Sequence, residues 1–190
     1  MTMKKAGLYK LIFFSLIILL SACSEDDSRY NNAIKTSRDG NYKKSLKIYE
    51  KLLSKKPDKP RYLNDYGWTL TMVDSIDKSI KVLERAKKEV GNKSNLLRTS
   101  INSNLSIAKT YKQARDHINS DQPEKALETL NESKLYLSRE MKLAYYGMIY
   151  EKMGDTAKAN KQWQAIIETY ANLNFDNKFY KMAVEKLEKD

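Results

Sequence analysis

The sequence predicts an all-α protein in which helix–turn–helix repeats stack into a solenoid. Only six glycines and three prolines punctuate 190 residues, whereas a β-sandwich or barrel needs more turns than that. Hydrophobic residues make up 41% of the chain, which is enough to bury a core and argues against disorder. The third observation is self-similarity along the chain, which is typical of repeat architectures.

The first 23 residues have the parts of an export signal. Three lysines precede or flank an apolar stretch over residues 11–20, which is too short to cross a bilayer of about 30 Å as a helix. The stretch leads into Leu20-Ser21-Ala22-Cys23, which resembles the lipobox of bacterial lipoproteins. The resemblance implies a signal peptide over residues 1–22 and acylation of Cys23, which would anchor the protein. The alternatives are a secretory signal with a coincidental cysteine and a short anchor helix.

The residues after Cys23 predict where the anchored protein lies. In the sorting rule of enteric lipoproteins, an aspartate at the next position retains the protein at the inner membrane, so Ser24 implies the cell outer membrane and a periplasm-facing protein. Glu25-Asp26-Asp27 also resembles the surface-export signal of some lipoproteins, although solvated tethers are often acidic too. We expect residues 23–28 to form a lipidated tether. The seven residues from Cys23 to Tyr30 span at most about 25 Å, so the folded part would lie close to the membrane.

Corresponding residues recur along the rest of the chain. Small residues stand at Ser45, Ser79, Ala126 and Ala159, and bulky residues four positions later are Tyr49, Leu83, Leu130 and Trp163. Each set is separated by 34, 47 and 33 residues, so one interval carries about 13 extra residues. A small side chain lets two helices approach to about 8–10 Å, and a bulky residue one turn away fills the remaining space.

These spacings resemble the tetratricopeptide repeat (TPR), as do Tyr66-Gly67, Tyr146-Gly147 and Gly154-Asp155. The resemblance implies a superhelical array over residues 29–175. The predicted units lie near residues 26–59, 60–93, 94–139 and 140–173. A helix over residues 176–190 would then cap the last apolar face of the solenoid.

Two units depart from the repeat pattern. Unit 1 has Arg29 and Asn32 at positions where the family usually has apolar residues. In unit 3 the apolar residues are displaced by one position, to Tyr111 and Ala114. The extra residues fall within 92–119, where apolar side chains recur at steps of three and four, so we expect them to lengthen the first helix of unit 3.

The chain has little of the side-chain chemistry that enzymes use. Its one cysteine lies in the predicted lipobox, and its one histidine, His117, excludes most His/Cys zinc sites and argues against a histidine-based triad. The Ser-x-x-Lys motifs at Ser75–Lys78 and Ser106–Lys109 lack the companion motifs of penicillin-binding enzymes. No glycine-rich phosphate loop is present. We therefore predict no enzyme activity, no catalytic residue, no metal and no cofactor.

The formal net charge of +11 includes the leader residues Lys4, Lys5 and Lys10. Without them, 32 basic residues face 24 acidic ones, which leaves about +8. Export argues against a nucleic-acid partner. The excess charge instead favours an acidic protein partner or an anionic membrane surface.

The TPR resemblance also implies a concave groove, lined by positions 2, 5, 9 and 12 of each unit. Carried onto this sequence, these positions predict a partner-binding groove at Arg61, Asn64, Trp68, Tyr111, Arg115 and Met148, together with Thr71, Ala144 and Glu151. We expect Trp68 to contribute most, since Trp and Arg are enriched among binding hot spots. The alternative is that the long helix of unit 3, or the tether, covers Trp68 as part of the core.

Some TPR domains grip an acidic C-terminal peptide through a clamp of Lys and Asn residues. At the clamp positions this chain has Tyr30, Ile34 and Asp65, so that specific partner is not expected. The function predicted is a lipid-anchored scaffold or adaptor for a protein partner in an envelope assembly machine, with pilus or secretion-apparatus biogenesis favoured. The alternative is a scaffold that regulates peptidoglycan enzymes or outer-membrane protein assembly. The sequence does not indicate the oligomeric state.

Overall fold

The computed structural model describes residues 25–92, 94–170 and 178–188. Within these ranges the chain forms helices joined by turns and short loops, which confirms the predicted all-α class. Helix α1 covers residues 25–38 of the described part. The other helices described are α2 (Tyr42–Lys55), α3 (Pro60–Met72), α4 (Ile76–Val90), α5 (Asn95–Asn119), α6 (Pro123–Glu132), α7 (Arg139–Lys152), α8 (Thr156–Tyr170) and α9 (Lys178–Leu187).

Consecutive helices pair into units, and each pair is held by the small residue that the sequence pattern predicted. Ser45, Ser79, Ala126 and Ala159 are all buried, as are the bulky residues that follow each of them by four positions. In unit 1 the Ser45 hydroxyl donates to the carbonyl of Ala33 at 2.8 Å. In unit 2 the Ser79 hydroxyl donates to the carbonyl of Gly67 at 2.7 Å. The small side chain therefore both permits the close approach and satisfies a backbone acceptor.

Two glycines allow an even closer approach of the paired helices. A Cβ atom on Gly67 would lie 2.6 Å from Cγ of Leu83, and one on Gly147 would lie 2.5 Å from the indole ring of Trp163. Both distances are shorter than any real carbon–carbon contact. The bulky residue of the second helix thus occupies the space that a side chain on the first helix would need.

The same kind of turn joins the two helices of each unit. The left-handed residues at these turns are Gly40, Asp74, Asp121 and Gly154, with φ of 75°, 59°, 56° and 75°. The amide after each one donates to the carbonyl five residues earlier, as in the bonds from Asn41 to Thr36 and from Gln122 to His117, both 2.9 Å. This is the Schellman helix ending, which glycine and, less readily, aspartate can adopt. Unit 3 therefore turns at the same position as the others, although its sequence departs most.

Helix α5 has 25 residues and is about 37 Å long at 1.5 Å per residue. Its amino-terminal part packs on unit 2, where Ile101 joins a core cluster with Leu63 and Val90 and Leu105 joins one with Leu83. The predicted lengthened helix of unit 3 is confirmed.

The predicted tether over residues 23–28 is wrong for its last four residues, because residues 25–28 are helical. Acidic side chains favour the first turn of a helix, since they complement its dipole. In addition, Asp26 is 5% exposed and pairs with Lys56 at 2.9 Å and with Lys55 at 3.5 Å. These contacts hold residues 25–28 in α1, although their acidic composition predicted a solvated tether.

Contacts across the array join unit 2 to unit 4 and to α9. The Tyr145 hydroxyl donates to Asp74 at 2.9 Å, and Lys178 pairs with the same carboxylate at 2.5 Å. The largest core cluster correspondingly includes Met72 with Trp163 and Phe179. The carboxyl-terminal units therefore pack against the first half of the chain as well as against each other.

Helix α9 lies within the predicted capping segment, residues 176–190. It packs on α8 and α7 and buries Phe179 and Ala183, so it covers the last apolar face of the array. No helix in the described ranges is both long and apolar enough to cross a membrane. The predicted signal peptide and Cys23 lie outside the described residues.

Candidate functional site

A cavity of about 630 Å³ opens between the first two units and the start of unit 4. Helices α1, α2 and α3 supply one wall, while the loop before α7, the first residues of α7 and the end of α8 supply the other. This volume is in the range of sites that hold a small molecule or a few residues of a peptide. The cavity forms because the carboxyl-terminal half packs back against the amino-terminal half.

Aromatic side chains dominate the cavity lining. They are Tyr30, Tyr42, Tyr49, Trp68, Tyr136 and Tyr170. Four of the tyrosines are buried and form the floor, whereas Trp68 is half-buried. Tyr136 stands at the rim with 92% of its surface exposed. The aromatic surface therefore extends from the core to solvent.

A hydrogen-bonded chain crosses the floor from Arg61 to Asp65. Arg61 Nε donates to the Tyr30 hydroxyl at 2.8 Å, and this hydroxyl donates to the Asp65 carboxylate. The Arg61 guanidinium carbon lies 4.5 Å from the centre of the Tyr30 ring, within the range of a cation–π contact. Burial raises the pKa of Asp65, although its hydrogen bonds from Tyr30 and Asn64 act in the opposite direction.

Three arginines and two carboxylates supply the charge of the cavity. The arginines are Arg38, Arg61 and Arg139, and the carboxylates are Asp65 and Glu140. All three arginines are exposed at the mouth, whereas both carboxylates are partly buried. Glu140 accepts a hydrogen bond from the Ser138 hydroxyl at 2.9 Å. Burial and then the charge of Glu140 raise the pKa of Tyr42.

The carboxylates of the cavity thus accept hydrogen bonds from its own hydroxyl groups, and Arg61 is held by the Tyr30 hydroxyl. Within the described part of the chain, Arg38 and Arg139 form no ion pair and no side-chain hydrogen bond. The mouth of the cavity is therefore positively charged and its floor is aromatic. Such a site suits a ligand that carries both negative charge and an apolar or aromatic group.

Of the six residues predicted to line the groove, the structure brings two into this cavity, namely Arg61 and Trp68. Trp68 is half-buried: one part of it packs against the largest core cluster, and it also lines the cavity. Met148 is half-buried and packs against the largest core cluster. Arg115 lies outside the cavity and pairs with Asp77 at 2.6 Å.

Two of the predicted groove residues are wrong, because the lengthened α5 changes their surroundings. Asn64 is only 3% exposed, since the extension of α5 covers it and hydrogen-bonds it through Asn104 at 3.0 Å. Tyr111 is fully buried, and its hydroxyl donates to the carbonyl of Ser138 at 3.2 Å. The one-position displacement of the apolar residues in unit 3 turns Tyr111 into the core.

The three accompanying groove positions are also occupied by intramolecular contacts. Thr71 and Ala144 are fully buried. Glu151 accepts hydrogen bonds from Trp163 Nε1 at 3.0 Å and from Lys186 at 2.6 Å. In this array α5 and α9 therefore occupy much of the surface where a periodic reading of the units places a groove.

Sequence reasoning missed the residues that the far side of the cavity supplies. Tyr136, Arg139 and Glu140 lie at the junction of units 3 and 4, outside the repeated groove positions. Because they meet α1 and α3 only through the curvature of the whole array, no local spacing indicates them. Arg38 immediately precedes the turn of unit 1, and its position near a turn gave no signal either.

The described residues contain no cluster of three or more His, Cys, Asp or Glu side chains that could hold a metal ion. The predicted acylation site, Cys23, lies outside these residues, so its structure is not described.

Comparison with known families identifies one of the units directly. Residues 145–172, which span most of unit 4, match the family model described as a tetratricopeptide repeat. No curated protein and no solved structure matches the chain. The match covers the unit that carries the Gly147–Trp163 contact and the turn at Gly154. The chain is therefore a TPR-containing, all-α helical solenoid, and the repeat indicates a scaffold for protein–protein interaction.

Proposed function

We propose that this chain is a scaffold that holds an acidic segment of a protein partner, containing an aromatic residue, in the cavity between its two halves. The observation that carries the proposal is the arginine-lined mouth above an aromatic floor. Arg38 and Arg139 are available to carboxylates of a partner, whereas the carboxylates of the cavity already accept bonds from hydroxyl groups. The role is binding, not catalysis.

Trp68 and Tyr136 are the residues that would contact an aromatic group of the partner. Trp68 is held against the core on one side and reaches the cavity on the other. Tyr136 is almost fully exposed at the rim. Large aromatic side chains next to arginines are the usual anchors of protein interfaces, because they bury much area at little cost in side-chain entropy.

We further propose that the scaffold is anchored by an acylated Cys23 to the periplasmic side of the outer membrane. The order of charge, apolar stretch and Leu20-Ser21-Ala22-Cys23 supports this anchor. With helix already present at residue 25, few residues separate the anchor from the array. A scaffold held at the surface would meet membrane-bound partners at a raised effective concentration. Pilus or secretion-apparatus assembly is the favoured process, and regulation of peptidoglycan enzymes or outer-membrane protein assembly is the alternative.

The binding site is tested by comparing partners captured by the wild-type chain and by Trp68→Ala from solubilised membranes. Loss of a central aromatic anchor costs about 2 kcal/mol or more, which corresponds to about 30-fold weaker binding. We expect the specific partner to be captured by wild type and lost with Trp68→Ala. Leu96→Ala is the matched control, because Leu96 is a large exposed apolar residue (88%) outside the cavity. Retention of every partner by Trp68→Ala contradicts the site.

The role of charge is tested with the double variant Arg38→Gln/Arg139→Gln. An equal loss of charge elsewhere, in Lys125→Gln/Lys134→Gln, is the control, since both residues are exposed and lie outside the cavity. We expect only the first double variant to weaken binding of the partner. Identification of the captured proteins separates the two processes: pilus or secretion components support the favoured one, and peptidoglycan enzymes or outer-membrane assembly proteins support the alternative.

The anchor is tested separately, by the mass of the mature amino terminus and by the membrane fraction of Cys23→Ser. We expect the wild-type chain to begin at an acylated Cys23 and to sediment with membranes. An unmodified cysteine in a membrane-bound wild-type chain would rule out lipidation while leaving the partner site in place.

A further inference from the structure

Helix α2 presents lysines on the side opposite to its buried residues. The buried residues are Tyr42, Ser45, Tyr49 and Leu52. At 100° per residue, five lysines fall within an arc of about 120° on the other side of the helix. These five, which we call the lysine face, are Lys43, Lys44, Lys47, Lys51 and Lys55, and all are exposed.

Three of the five lysines have no ion pair within the described part of the chain, whereas Lys55 pairs with Asp26 and Lys43 also makes an interaction. The acidic residue of α2, Glu50, lies at the edge of the face, where it accepts a hydrogen bond from the Tyr66 hydroxyl at 2.9 Å and pairs with Lys78 at 3.7 Å. Among the described residues, Lys44, Lys47 and Lys51 have no ion-pair partner.

The neighbouring helix α4 differs, because its outward charges are of both signs. Arg85 pairs with Asp58 at 2.5 Å, and Glu84 pairs with Lys109 at 3.2 Å. Mixed charges of this kind are usual for a solvated helix, whereas a row of one sign along about 18 Å of helix creates a positive surface.

The lysine face begins at the same end of unit 1 as the chain's amino-terminal segment. Asp26 pairs with Lys55 and Lys56, and its hydrogen bond with Lys56 lowers the pKa of the carboxyl group. These pairs fix the amino end of α1 beside the carboxyl end of α2. Cys23 is three residues before Asp26, a distance of at most about 10 Å in extended chain.

We propose that the lysine face binds the surface of an anionic phospholipid bilayer. The choice of a bilayer rests on the proposed acylation of Cys23, which would place this end of unit 1 at the membrane. Lysines on flexible stems suit a diffuse layer of phosphate groups, which offers no fixed geometry for a planar guanidinium. An acyl anchor and a basic surface together bind more firmly than either alone.

This orientation leaves the cavity free for a partner. Tyr42 and Tyr49 line the cavity and are on the side of α2 opposite to the lysine face. With α2 against the bilayer, the arginine-lined mouth would not be covered by lipid. The array would be held by one face and would bind through the other.

The proposal is tested by sedimentation of the full chain with vesicles of phosphatidylcholine, with and without phosphatidylglycerol. All proteins carry Cys23→Ser, so that no acyl chain contributes, and binding through the apolar leader is common to every sample. The test variant is Lys44→Gln/Lys47→Gln/Lys51→Gln. The control, Lys125→Gln/Lys134→Gln/Lys161→Gln, removes the same charge from exposed lysines of units 3 and 4.

We expect the parent and the control to bind anionic vesicles equally, and the test variant to bind them about tenfold or more weakly, because each lysine near such a surface contributes about 1 kcal/mol. The difference should vanish in vesicles without phosphatidylglycerol and shrink in high salt. Equal binding by test variant and control overturns the proposal. Binding of each protein to poly-glutamate is measured in parallel. If the test variant binds vesicles as its parent does but has lost poly-glutamate binding, the proposal is overturned and the lysine face is assigned to an acidic protein.

The outcome is independent of the partner site and of the anchor. Trp68→Ala should bind vesicles as its parent does, so failure of the cavity proposal leaves this result intact. If Cys23 proves to be unmodified, vesicle binding by the Cys23→Ser chain still measures the lysine face itself.

Discussion

The contact between Gly147 and Trp163 shows how one residue sets the spacing of a helix pair. The indole ring occupies the volume where a Cβ atom of residue 147 would lie. The ring is also fixed by its hydrogen bond to Glu151 and is fully buried. A tryptophan held in this way cannot move aside easily, so the glycine is required by packing and not by its backbone freedom.

We predict that Gly147→Ala lowers the free energy of unfolding by about 1–3 kcal/mol, the usual cost of overpacking. In an unobstructed helix the same change stabilises by about 1 kcal/mol, so the sign of the effect reports the contact. The measurement is the denaturant midpoint at unchanged slope.

Trp163→Phe provides the matching test, because phenylalanine lacks the ring atoms nearest to residue 147. In that background Gly147→Ala should cost clearly less, which a double-mutant cycle measures. Equal costs in both backgrounds would contradict the steric explanation.

The residues of the candidate site show which positions can be predicted from the spacing of residues within a unit. Arg61 and Trp68 were predictable because their positions within unit 2 follow the repeat, and both line the cavity. Asn64 occupies an equivalent position and is buried, because a helix more than 30 residues away covers it. Spacing within a unit cannot indicate such coverage.

Among the elements, helix α9 has the clearest separable role. It is a helix of ten residues that buries Phe179 and Ala183 against the end of the array. Its outward residues are polar and exposed, as a terminal cap requires. Without it, the apolar residues of α7 and α8 would face water.

We predict that Phe179→Ala destabilises the chain by about 3–5 kcal/mol, the cost of removing a fully buried aromatic ring. Glu185→Ala on the same helix should change stability by less than about 0.5 kcal/mol, since Glu185 is exposed and surface substitutions have small effects. The free energy of unfolding of each variant is measured by denaturant unfolding. A Phe179→Ala chain as stable as Glu185→Ala would show that α9 does not act as a cap.

The length of a helix could be predicted from the sequence only where an insertion changes the interval between repeats. The interval of 47 residues indicated an insertion, and the periodicity of apolar residues placed it in α5. The acidic residues 25–27 were assigned to a tether because acidic segments are often solvated. Their helical state depends on ion pairs with Lys55 and Lys56, about 30 residues away, which no local pattern contains.

At the scale of the whole molecule, one aspartate joins distant parts of the array. Asp74 accepts a hydrogen bond from Tyr145 and pairs with Lys178, 71 and 104 residues further along the chain. Its backbone is left-handed at the turn of unit 2, and its side chain contacts α7 and α9. Because the buried Tyr145 hydroxyl would otherwise lack this partner, the contact matters for stability.

We predict that Asp74→Gly speeds amide hydrogen exchange in α7 and α9 about tenfold, the effect of losing a hydrogen bond to a charged group. Glycine suits the positive φ at this turn, so the turn itself should persist.

Asp121→Gly is the control for this prediction. Asp121 has nearly the same φ at the equivalent turn, but within the described part of the chain its carboxylate pairs with Lys152, an exposed lysine of the next unit. Similar exchange rates in the two variants would contradict a special role for Asp74.

The cavity has one wall from each half of the chain, and this has a consequence for how the array comes apart. A linear solenoid frays from its ends, one unit at a time, and its units are nearly independent. Here a partner seated between the halves would bind only when both are in place, so its binding energy would be added to the cost of separating either half. A bound partner would then act as a cross-link between the two halves. The complex would unfold as a single unit under force or protease, whereas the free protein would first separate between units 2 and 4.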